Sequence, residues 1–257
     1  MKPAISLDGT FLVCDRTDEQ LVNIIESKHR VVRKSNGLLL CQIEDEPSMS
    51  LLSAATGMVS RRYLDKFHLL VPENDSDRRQ KLLDEFFSLI ADNYESLIDR
   101  ARNLDNILNL LSFIKQYLPD CDEPTILDYG CGTGLSCIVA KDFSWEPIGL
   151  DRCPAMRAIA SHRGMKVWNA EDLARQPIDS IDASFASYVF HLLPDTKSLE
   201  ILWARIRPGG VLVANFHKDA GESLVEKCVS QNQCSTVKLL SPNGSQQHGS
   251  YFAFLKR

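Results

Sequence analysis

Residues 126–134 read Ile-Leu-Asp-Tyr-Gly-Cys-Gly-Thr-Gly, and this segment constrains the fold more than any other part of the chain. An apolar strand ends on Asp128, and glycines follow at alternate positions, Gly130, Gly132 and Gly134, before a helix-like run. Glycine has no Cβ, so the backbone can turn sharply and approach a ligand closely at the start of a helix. The segment therefore predicts a strand, a tight turn and a helix that together form a nucleotide-type binding corner.

From residue 125 onward, strand-like and helix-like segments alternate, which is typical of a parallel sheet covered by helices. We predict seven strands, at residues 125–128, 147–151, 166–169, 181–188, 211–217, 236–241 and 250–255. Helices are predicted between them, at residues 136–142, 153–163, 171–176, 196–206 and 221–230. Residues 242–249 are too few for a crossover helix, so the last two strands should pair as an antiparallel hairpin. The predicted fold class is α/β, with a mostly parallel sheet of seven strands and a C-terminal antiparallel hairpin.

The first half of the chain carries a different pattern. Residues 80–118 have helical periodicity, with a predicted break at Asn103–Asn106. The other predicted elements are a helix at residues 17–27, a hairpin at residues 29–43 that turns at residues 35–37, and a polar linker at residues 71–79. We therefore predict a helical and hairpin cap or small accessory domain, residues 1–78, and a larger domain, residues 79–257, that begins with the helices at 80–118.

Composition and charge narrow the functional classes. The chain of 257 residues has a formal net charge of -5, which argues against the broad basic surface of a nucleic-acid-binding protein. No apolar run approaches the roughly 20 residues of a membrane span, and residues 1–10 lack the apolar core of a signal peptide. No two of the eight cysteines have the two-residue gap of a zinc knuckle, so no metal site is expected. We predict a cytoplasmic protein without nucleic-acid or membrane partners.

The glycine spacing narrows the ligand class. A dinucleotide fingerprint would have its third glycine at position 135, which is Leu135. Alternating glycines after an acidic residue instead resemble motif I of the class I S-adenosylmethionine (SAM)-dependent methyltransferases of small-molecule type. Three later segments resemble the same family: a second strand that ends on Asp151, the fourth-strand motif Ile181–Asp195, and Arg207-Pro208-Gly209-Gly210 before the fifth strand. The resemblance implies a Rossmann-like sheet, SAM as cofactor and S-adenosylhomocysteine as product.

The same resemblance implies a set of cofactor-binding residues. Asp151 would accept hydrogen bonds from both ribose hydroxyls, or would cap the helix that follows it. The family has an acid for the adenine amino group where this chain has Asn169, whose side-chain carbonyl oxygen still accepts; Glu171 and Asp172 are the alternative acceptors. Tyr94 completes a Phe-x-x-x-Ala-x-x-Tyr spacing that often precedes motif I. The full set is Tyr94, Asp128, Gly130, Cys131, Gly132, Gly134, Asp151, Arg152, Asn169, Ala170, Glu171 and Ser187.

Two histidines are candidate catalytic bases. His191 follows the fourth strand and His217 ends the fifth, so both should lie at the carboxyl edge of the sheet. Neutral imidazole there can accept a proton from an acceptor molecule near pH 7. Tyr188 is a similar candidate. Packing alone would also explain His191 and Tyr188, so both interpretations stay open.

The fourth strand also reduces the number of possible classes of methyl acceptor. It lacks the Asn/Asp-Pro-Pro-Tyr signature of adenine and glutamine amino methyltransferases and the Pro-Cys pair of cytosine-C5 enzymes. We therefore predict methyl transfer to a small-molecule acceptor at oxygen, nitrogen, carbon or sulfur, with the N-terminal region selecting the substrate. Two alternatives stay open: a SAM-binding regulatory or partner subunit without catalysis, and an RNA methyltransferase that contacts RNA through basic residues at 29–34 and 61–66. A nicotinamide dehydrogenase is disfavoured by Leu135, and no oligomeric state follows from the sequence.

Overall fold

The computed structural model of the chain describes residues 9–16, 19–27, 29–34, 37–43, 58–72, 75–119, 121, 123–192, 196–216, 219–230, 234–241 and 247–257. The chain divides into two compact units, Met1–Ile90 and Ala91–Arg257. Our predicted domain boundary lies between residues 78 and 79, within a helix, Ser76–Ile90, that belongs to the first unit. Each unit has a sheet and a hydrophobic core of its own.

The first unit contains a sheet of five strands within the residues described. Its elements are β1 (Thr10–Asp15), α1 (Glu19–Glu26), β2 (Arg30–Lys34), β3 (Leu38–Ile43), β4 (Met58–Tyr63), β5 (Phe67–Pro72) and α2 (Ser76–Ile90). The strand order is β2-β3-β1-β5-β4, with β1 antiparallel to β3 and parallel to β5. The predicted hairpin at residues 29–43 is confirmed, because β2 and β3 pair antiparallel.

The hairpin of β4 and β5 is an element that the sequence pattern did not predict. Val71 of β5 pairs with Val59 of β4, and α2 begins only a few residues later, so the predicted linker at residues 71–79 is wrong. The Phe67 ring of β5 is fully buried and lies 5.1 Å from the ring of Phe86 on α2. Such an aromatic pair contributes about 0.5–1.5 kcal/mol beyond the area it buries. Packing against α2 therefore stabilises a hairpin whose own sequence mixes polar and apolar residues.

The second unit alternates strands and helices, as the sequence pattern predicts. Its described elements are α3 (Tyr94–Leu97), α4 (Arg100–Tyr117), β6 (Ile126–Tyr129), α5 (Ser136–Val139), β7 (Ile148–Leu150), α6 (Pro154–His162), β8 (Val167–Trp168), α7 (Ala170–Arg175), β9 (Ile181–Ala186), α8 (Thr196–Arg205), β10 (Ile206–Phe216), α9 (Asp219–Ser230), β11 (Cys234–Leu239) and β12 (Ser250–Lys256). Short 3-10 helices occur at Ala91–Asn93, Ala140–Phe143 and Phe190–Leu192.

The second sheet has the order β11-β12-β10-β9-β6-β7-β8. Strands β6 to β10 are parallel to one another, and β12 is antiparallel to both β10 and β11. The predicted α/β fold class and its C-terminal hairpin are therefore confirmed. The chain moves outward from β6 in one direction through β7 and β8, and in the other through β9 and β10. Ligands of such sheets bind beyond the carboxyl ends of the strands at this reversal, here between β6 and β9.

The antiparallel strand β12 brings a later part of the chain to the same edge. Ser250, its first residue, pairs with Phe216, the last residue of β10. Since β10 ends at the carboxyl edge of the parallel strands, β12 begins there. Residues just before Ser250 therefore lie beside the ends of the parallel strands.

Alternate residues of β10 contribute to two separate cores. Val211 and Val213 pack with α4, whereas Leu212 and Ala214 pack with α8 and α9. Successive side chains of a strand point to opposite faces, so helices cover both faces of this sheet. A fully buried valine or leucine contributes about 1.5–3 kcal/mol, which makes these layers the main stabilising contacts of the unit.

Helix α4 begins before the break that the sequence predicts. Asp99 caps it, because its Oδ1 accepts a hydrogen bond from the Arg102 N–H at 3.0 Å. The predicted break at Asn103–Asn106 is wrong, because the helix is continuous through both residues. Asn103 donates its side-chain amide to the Asp99 carbonyl, and Asn106 is buried among polar partners. Within the described ranges, no helix combines the length and the apolar composition that a membrane crossing requires.

Candidate functional site

The glycine turn, residues 130–134, joins β6 to α5 at the carboxyl edge of the second sheet. The φ angles of its three glycines are +78°, +53° and +77°, all in the left-handed region that side chains disfavour. The N–H groups of Gly130 and Cys131 both donate to the Leu150 carbonyl, at 2.7 and 3.0 Å. These two bonds fix the turn to the end of β7, as a strand-to-helix binding corner requires.

Because Gly132 has no side chain, it leaves an open space above the backbone, which we call the cradle. A Cβ built on Gly132 would have the Tyr94 Cε1 atom, at 3.9 Å, as its nearest contact, so the space above the backbone is open. The Gly132 N–H points to a carboxylate, because it donates to Asp151 Oδ2 at 2.9 Å. An open backbone beside an aromatic ring and a carboxylate fits the amino-acid and sugar parts of the predicted cofactor.

Glycine is required at position 130 for a different reason, the close approach of a neighbouring side chain. A Cβ there would come within 2.4 Å of Val189 Cγ2, a distance that packing does not allow. Val189 lies in the segment directly after β9, three residues beyond the strand. The glycine turn and the segment after β9 are therefore in close contact across the reversal point of the sheet.

Asp151 organises the turn from the end of β7. Its Oδ2 accepts from the Gly132 N–H, and its Oδ1 accepts from the Cys153 N–H at 2.8 Å. A carboxylate has about four lone-pair sites, so both oxygens keep capacity for a ligand hydroxyl. The N-cap of α6 is Cys153, and no side-chain hydrogen bond caps this helix, so the alternative of Asp151 as N-cap is wrong and its ribose-binding role stays a prediction.

A cluster that the sequence did not predict pins α3 to the glycine turn. Glu95 Oε1 accepts from Thr133 Oγ1 at 2.8 Å and forms an ion pair with Arg163, while Arg100 Nε lies 3.3 Å from Oε2. Arg163 Nη1 also donates to the Thr133 carbonyl at 2.9 Å. We call Glu95, Thr133 and Arg163 the turn clamp. Burial works to raise the pKa of Glu95, but hydrogen bonds from Arg163 and Thr133 lower it below its usual value.

The turn clamp keeps Tyr94, the residue before Glu95, beside the cradle. Desolvation raises the pKa of the Tyr94 phenol to about 12, and the Asp151 and Glu95 carboxylates act in the same direction. The hydroxyl is therefore neutral at physiological pH. The partners of the turn clamp are 38 and 68 residues from Glu95 in sequence, so no local spacing could have indicated them.

Asp128 is buried beneath this arrangement, with 3% of its surface exposed, and accepts from Ser136 Oγ at 2.5 Å. Desolvation raises its pKa to about 7, the Ser136 hydrogen bond opposes the shift, and Asp151 adds to it. Cys131 also turns inward, with its Sγ 2.7 Å from a Cβ built on Gly149, and burial raises its pKa well above the usual value. Direct contacts of Asp128 and Cys131 with the cofactor stay predictions.

The predicted adenine-binding residues lie at the start of α7. Asn169 and Asp172 form a capping box: Asn169 Oδ1 accepts from the Asp172 N–H at 2.9 Å, and Asp172 Oδ2 accepts from the Asn169 N–H at 3.0 Å. The Asn169 carbonyl keeps one lone pair for a ligand. Ala170 and Glu171 are exposed in the first turn of the helix, and Arg152 is exposed after β7. Their roles toward the cofactor stay predictions.

A buried polar network lies on the other side of the reversal point, and Asn106 of α4 is at its centre. Asn106 Nδ2 donates to Ser187 Oγ at 2.8 Å and to Asn215 Oδ1 at 3.1 Å, and Asn106 Oδ1 accepts from the Tyr251 hydroxyl at 2.7 Å. Asn109 Nδ2 donates to that hydroxyl at 3.2 Å. Ser187, a predicted cofactor residue, is thus connected to α4, β10 and β12.

Tyr188, the next residue, belongs to a second chain of polar groups. Its hydroxyl lies 2.5 Å from His248 Nδ1, and His248 Nε2 lies 2.8 Å from Asp105 Oδ2. Tyr188 has a φ of +56°, in the left-handed region, and its backbone N–H donates to Asn215 Oδ1 at 2.8 Å. The sequence suggested Tyr188 as a base but missed His248 and Asp105, which are 60 and 143 residues away from their partners in this chain of groups.

The structure describes only one of the two predicted catalytic histidines. His191 is half-buried in the 3-10 helix Phe190–Leu192, which follows β9 and lies near the reversal point. His217 lies outside the described residues. A catalytic role for either histidine stays a prediction.

Comparison with known protein families gives one match over most of the chain. A family model described as "Methyltransferase domain" matches residues 58–253. A ribosomal protein L11 methyltransferase of Ralstonia pickettii is 36% identical over 91 residues, which are 34% of this chain and 30% of that protein. The corresponding protein of Desulfotalea psychrophila is 28% identical over 108 residues, which are 40% of this chain and 36% of that protein. The chain thus spans about a third of the length of these curated relatives.

Solved structures share the fold. Magnesium protoporphyrin IX methyltransferase from Synechocystis, solved with bound SAM, aligns with a TM-score of 0.51 and 13% identity, over 70% of this chain and 97% of that one. An amino pentose methyltransferase from Micromonospora echinaspora, also SAM-bound, aligns with a TM-score of 0.49 and 17% identity, over 60% of this chain and 92% of that one. The first alignment, at 13% identity, shows only that the two chains share a fold.

Proposed function

The chain belongs to the methyltransferase domain family and is a SAM-dependent enzyme, and from this premise we propose that it methylates a small-molecule acceptor. The observation that carries the proposal is the open cradle at Gly132, bounded by the Tyr94 ring and the Asp151 carboxylate. Around it, the glycine turn and Tyr94 would hold the methionine part of SAM, Asp151 the ribose, and the start of α7 the adenine.

SAM supplies a methyl group on a positively charged sulfur, and that charge disappears on transfer. The chain's own contribution is to fix the reacting groups and exclude water. The turn clamp and the bonds from the turn to the Leu150 carbonyl make the cradle rigid before any ligand binds. Positioning of this kind can lower a barrier by about 7–11 kcal/mol. His191 and His217 are the proton acceptors that we predict from the sequence.

Three features support a small acceptor. The net charge of -5 disfavours a polyanionic substrate. The segment after β9, where the acceptor should bind, turns within a few residues into the 3-10 helix Phe190–Leu192. The polar groups there, Ser187 and Tyr188, are half-buried. A recessed site with a few fixed polar groups suits a small ligand better than a long polymer surface.

A protein acceptor is the second candidate. It is favoured by the sequence identity to two ribosomal protein L11 methyltransferases. The matched segments are limited to about a third of those proteins, so the match by itself assigns no acceptor to this chain.

The experiment that separates these acceptors follows a labelled methyl group. The full chain is incubated with methyl-tritiated SAM and a cell extract divided into a low-molecular-mass filtrate, a protein fraction and an RNA fraction. We expect new labelled products in the filtrate. Label in acid-insoluble protein would support the second candidate, and label in RNA or in no fraction would contradict the proposal.

Two further parts of the proposal concern the whole protein. Acceptor selection by the N-terminal region stays a prediction; exchanging residues 1–78 with those of another family member should change acceptor preference. The cytoplasmic location is also a prediction from the sequence, which cell fractionation can test.

A further inference from the structure

The segment after β9 holds Tyr188 in a conformation that a tyrosine does not adopt without support. A non-glycine residue at a φ of +56° carries strain of roughly 1–3 kcal/mol, and such strain concentrates at functional sites. Asn215 supplies the support, because its Oδ1 accepts from the Tyr188 N–H and its Nδ2 donates to the His248 carbonyl at 2.9 Å. One side-chain amide therefore fixes the backbones of both Tyr188 and His248.

The hydrogen bonds determine which nitrogen of His248 carries the proton. A carboxylate only accepts hydrogen bonds, so the 2.8 Å contact between His248 Nε2 and Asp105 Oδ2 requires the proton on Nε2. Nδ1 then has a free lone pair and accepts from the Tyr188 hydroxyl. Gln247 Nε2 donates to the same Asp105 oxygen at 3.0 Å, which explains its 2.9 Å approach to His248 Nε2.

Burial differs along this chain of groups. Tyr188 is half-buried at the carboxyl edge, His248 is 1% exposed, and the Asp105 side chain is 37% exposed. Tyr188 therefore lies at the edge of the sheet where we predict the acceptor site, the Asp105 side chain reaches solvent, and a buried imidazole lies between them. Val189, the residue after Tyr188, lies against Gly130 of the glycine turn, where we predict that the methyl donor binds.

We propose that Tyr188, His248 and Asp105 form a proton relay that removes the proton of an oxygen or nitrogen acceptor during methyl transfer. This inference rests on the proposed function and identifies the acceptor as a group that must lose a proton. Tyr188 is the catalytic residue, and His248 and Asp105 act through it.

The protons and electrons balance within the relay. As the acceptor atom forms its bond to the methyl carbon, the carbon–sulfur bond breaks and its electron pair stays on sulfur. The acceptor's proton passes to Tyr188 Oη, and the Tyr188 proton passes to His248 Nδ1. The resulting imidazolium lies against the Asp105 carboxylate, which stabilises its charge. After the product leaves, the Nδ1 proton returns through the Tyr188 hydroxyl to solvent, which restores the His248 tautomer protonated on Nε2.

The charges around Tyr188 explain why the tyrosine needs a partner. Burial raises the pKa of its phenol; the Arg102 guanidinium, 5.9 Å from the ring centre, works to lower it, and Asp105 and Asp99 work to raise it. These groups belong to α4 and its cap, and Tyr251 of β12 also faces the phenol. A phenol with a raised pKa is neutral near pH 7, so it accepts a proton only if it releases its own to His248.

The first test needs no substrate. The full chain, labelled with nitrogen-15, is studied without ligand by imidazole NMR, and the His248 signals are assigned with a His248→Gln variant. We expect the tautomer protonated on Nε2. A dominant tautomer protonated on Nδ1 would overturn the relay, because Nδ1 could not then accept from Tyr188.

The second test measures the rate of S-adenosylhomocysteine formation from acid to alkaline pH, with the low-molecular-mass filtrate as acceptor. Tyr188→Phe should lower the rate roughly 10²-fold or more and remove the acid limb of the pH profile, without changing affinity for S-adenosylhomocysteine. His248→Gln, which accepts a hydrogen bond but no proton, should lose the same limb, and Asp105→Asn, which no longer stabilises the imidazolium, should lower the rate. Tyr117→Phe removes a hydroxyl from the end of α4 and should change neither rate nor profile.

The outcomes are distinct. A Tyr188→Phe variant with the rate and pH profile of Tyr117→Phe would overturn the relay. If the wild-type chain methylates nothing in the filtrate, the proposed function fails and the catalytic role fails with it, whereas the NMR result still decides whether the hydrogen-bonded chain of groups exists.

Discussion

At the scale of single residues, a substitution at Gly132 has two effects that can be measured separately. One is the strain of the backbone, and the other is the steric exclusion of the ligand. The φ of +53° at Gly132 makes any side chain strained by about 1–2 kcal/mol, but the nearest atom to a Cβ is 3.9 Å away, so alanine fits in the absence of a ligand. We predict that Gly132→Ala folds and binds S-adenosylhomocysteine at least ~10-fold more weakly than wild type, since a methyl group is worth about 1 kcal/mol or more of steric conflict in a packed contact. Calorimetric titration and thermal unfolding measure the two effects.

The matched control is Gly209→Ala. Gly209 has a φ of +77° near the start of β10, at the opposite edge of the sheet from the glycine turn. This variant should lose comparable stability and keep full affinity. Equal affinities in the two variants would show that the cradle does not contact the ligand.

The buried carboxyl of Asp128 predicts a pH dependence of stability. Its pKa is raised from 3.8 to about 7, so the folded state holds a proton that the unfolded state has lost between these values. Stability must therefore fall as pH rises through this window and level off above it. Asp128→Asn, which does not titrate, should lack this fall and exceed wild type above pH ~7 by on the order of 1–4 kcal/mol.

Denaturant unfolding at a series of pH values measures this difference. Asp142→Asn is the control, because Asp142 is exposed and should leave the wild-type pH dependence intact. If the Asp128→Asn and wild-type curves stay parallel across the window, the carboxyl is ionised in the folded state and the interpretation is wrong.

Residue patterns indicated the glycine turn and Asp151, but not the side chains that reach the site from distant parts of the chain. The glycine turn and Asp151 are close in sequence and follow strand ends, so their spacing alone indicates a binding corner. Glu95, Arg163 and His248 act through partners many tens of residues away, and a single sequence carries no signal for such pairs.

At the scale of elements, the turn clamp makes α3, a helix of four residues, part of the site. Glu95→Ala would leave the Arg163 guanidinium and the Thr133 hydroxyl without their carboxylate, at a penalty of about 1–3 kcal/mol. We predict roughly 10-fold weaker binding of S-adenosylhomocysteine, because Tyr94 is no longer fixed beside the cradle. Calorimetric titration measures it.

Two further variants test whether a loss of affinity in Glu95→Ala is due to the turn clamp. Glu95→Gln keeps an acceptor for Thr133 and should recover part of the affinity. Glu226→Ala removes an exposed carboxylate of α9 and should have no effect. Wild-type affinity in Glu95→Ala would mean that α3 keeps its place without the clamp.

Elements with a strong local pattern were predicted, and those that depend on distant packing were not. The parallel strands and the β11–β12 hairpin follow from apolar runs and short connections. The break in the long helical region was predicted at Asn103–Asn106, because polar residues in an apolar stripe suggest an end; Asn106 is instead buried against Ser187 and Asn215. Its partners, 81 and 109 residues away, make a polar residue stable inside a helix.

At the scale of the whole molecule, every described residue of the candidate site lies in the second compact unit, Ala91–Arg257. That unit has cores on both faces of its sheet. We predict that a fragment of residues 91–257 folds and binds S-adenosylhomocysteine with an affinity close to that of the full chain. Circular dichroism and calorimetric titration test this.

The intact chain is the reference for the fragment. A folded fragment without affinity would place an essential binding group in residues 1–90. An unfolded fragment would show that the second unit is not independently stable, which would contradict the prediction directly.

The reversed direction of β12 has an evolutionary consequence. Because this strand enters the sheet at the edge where the parallel strands end, His248, two residues ahead of it, lies at the same edge as the glycine turn. Sequence changes just ahead of β12 therefore alter this edge without changing any residue of the glycine turn. Descendants of such a chain could thus acquire new acceptors through changes in one short segment near the C-terminus, while the residues that bind the methyl donor stay unchanged.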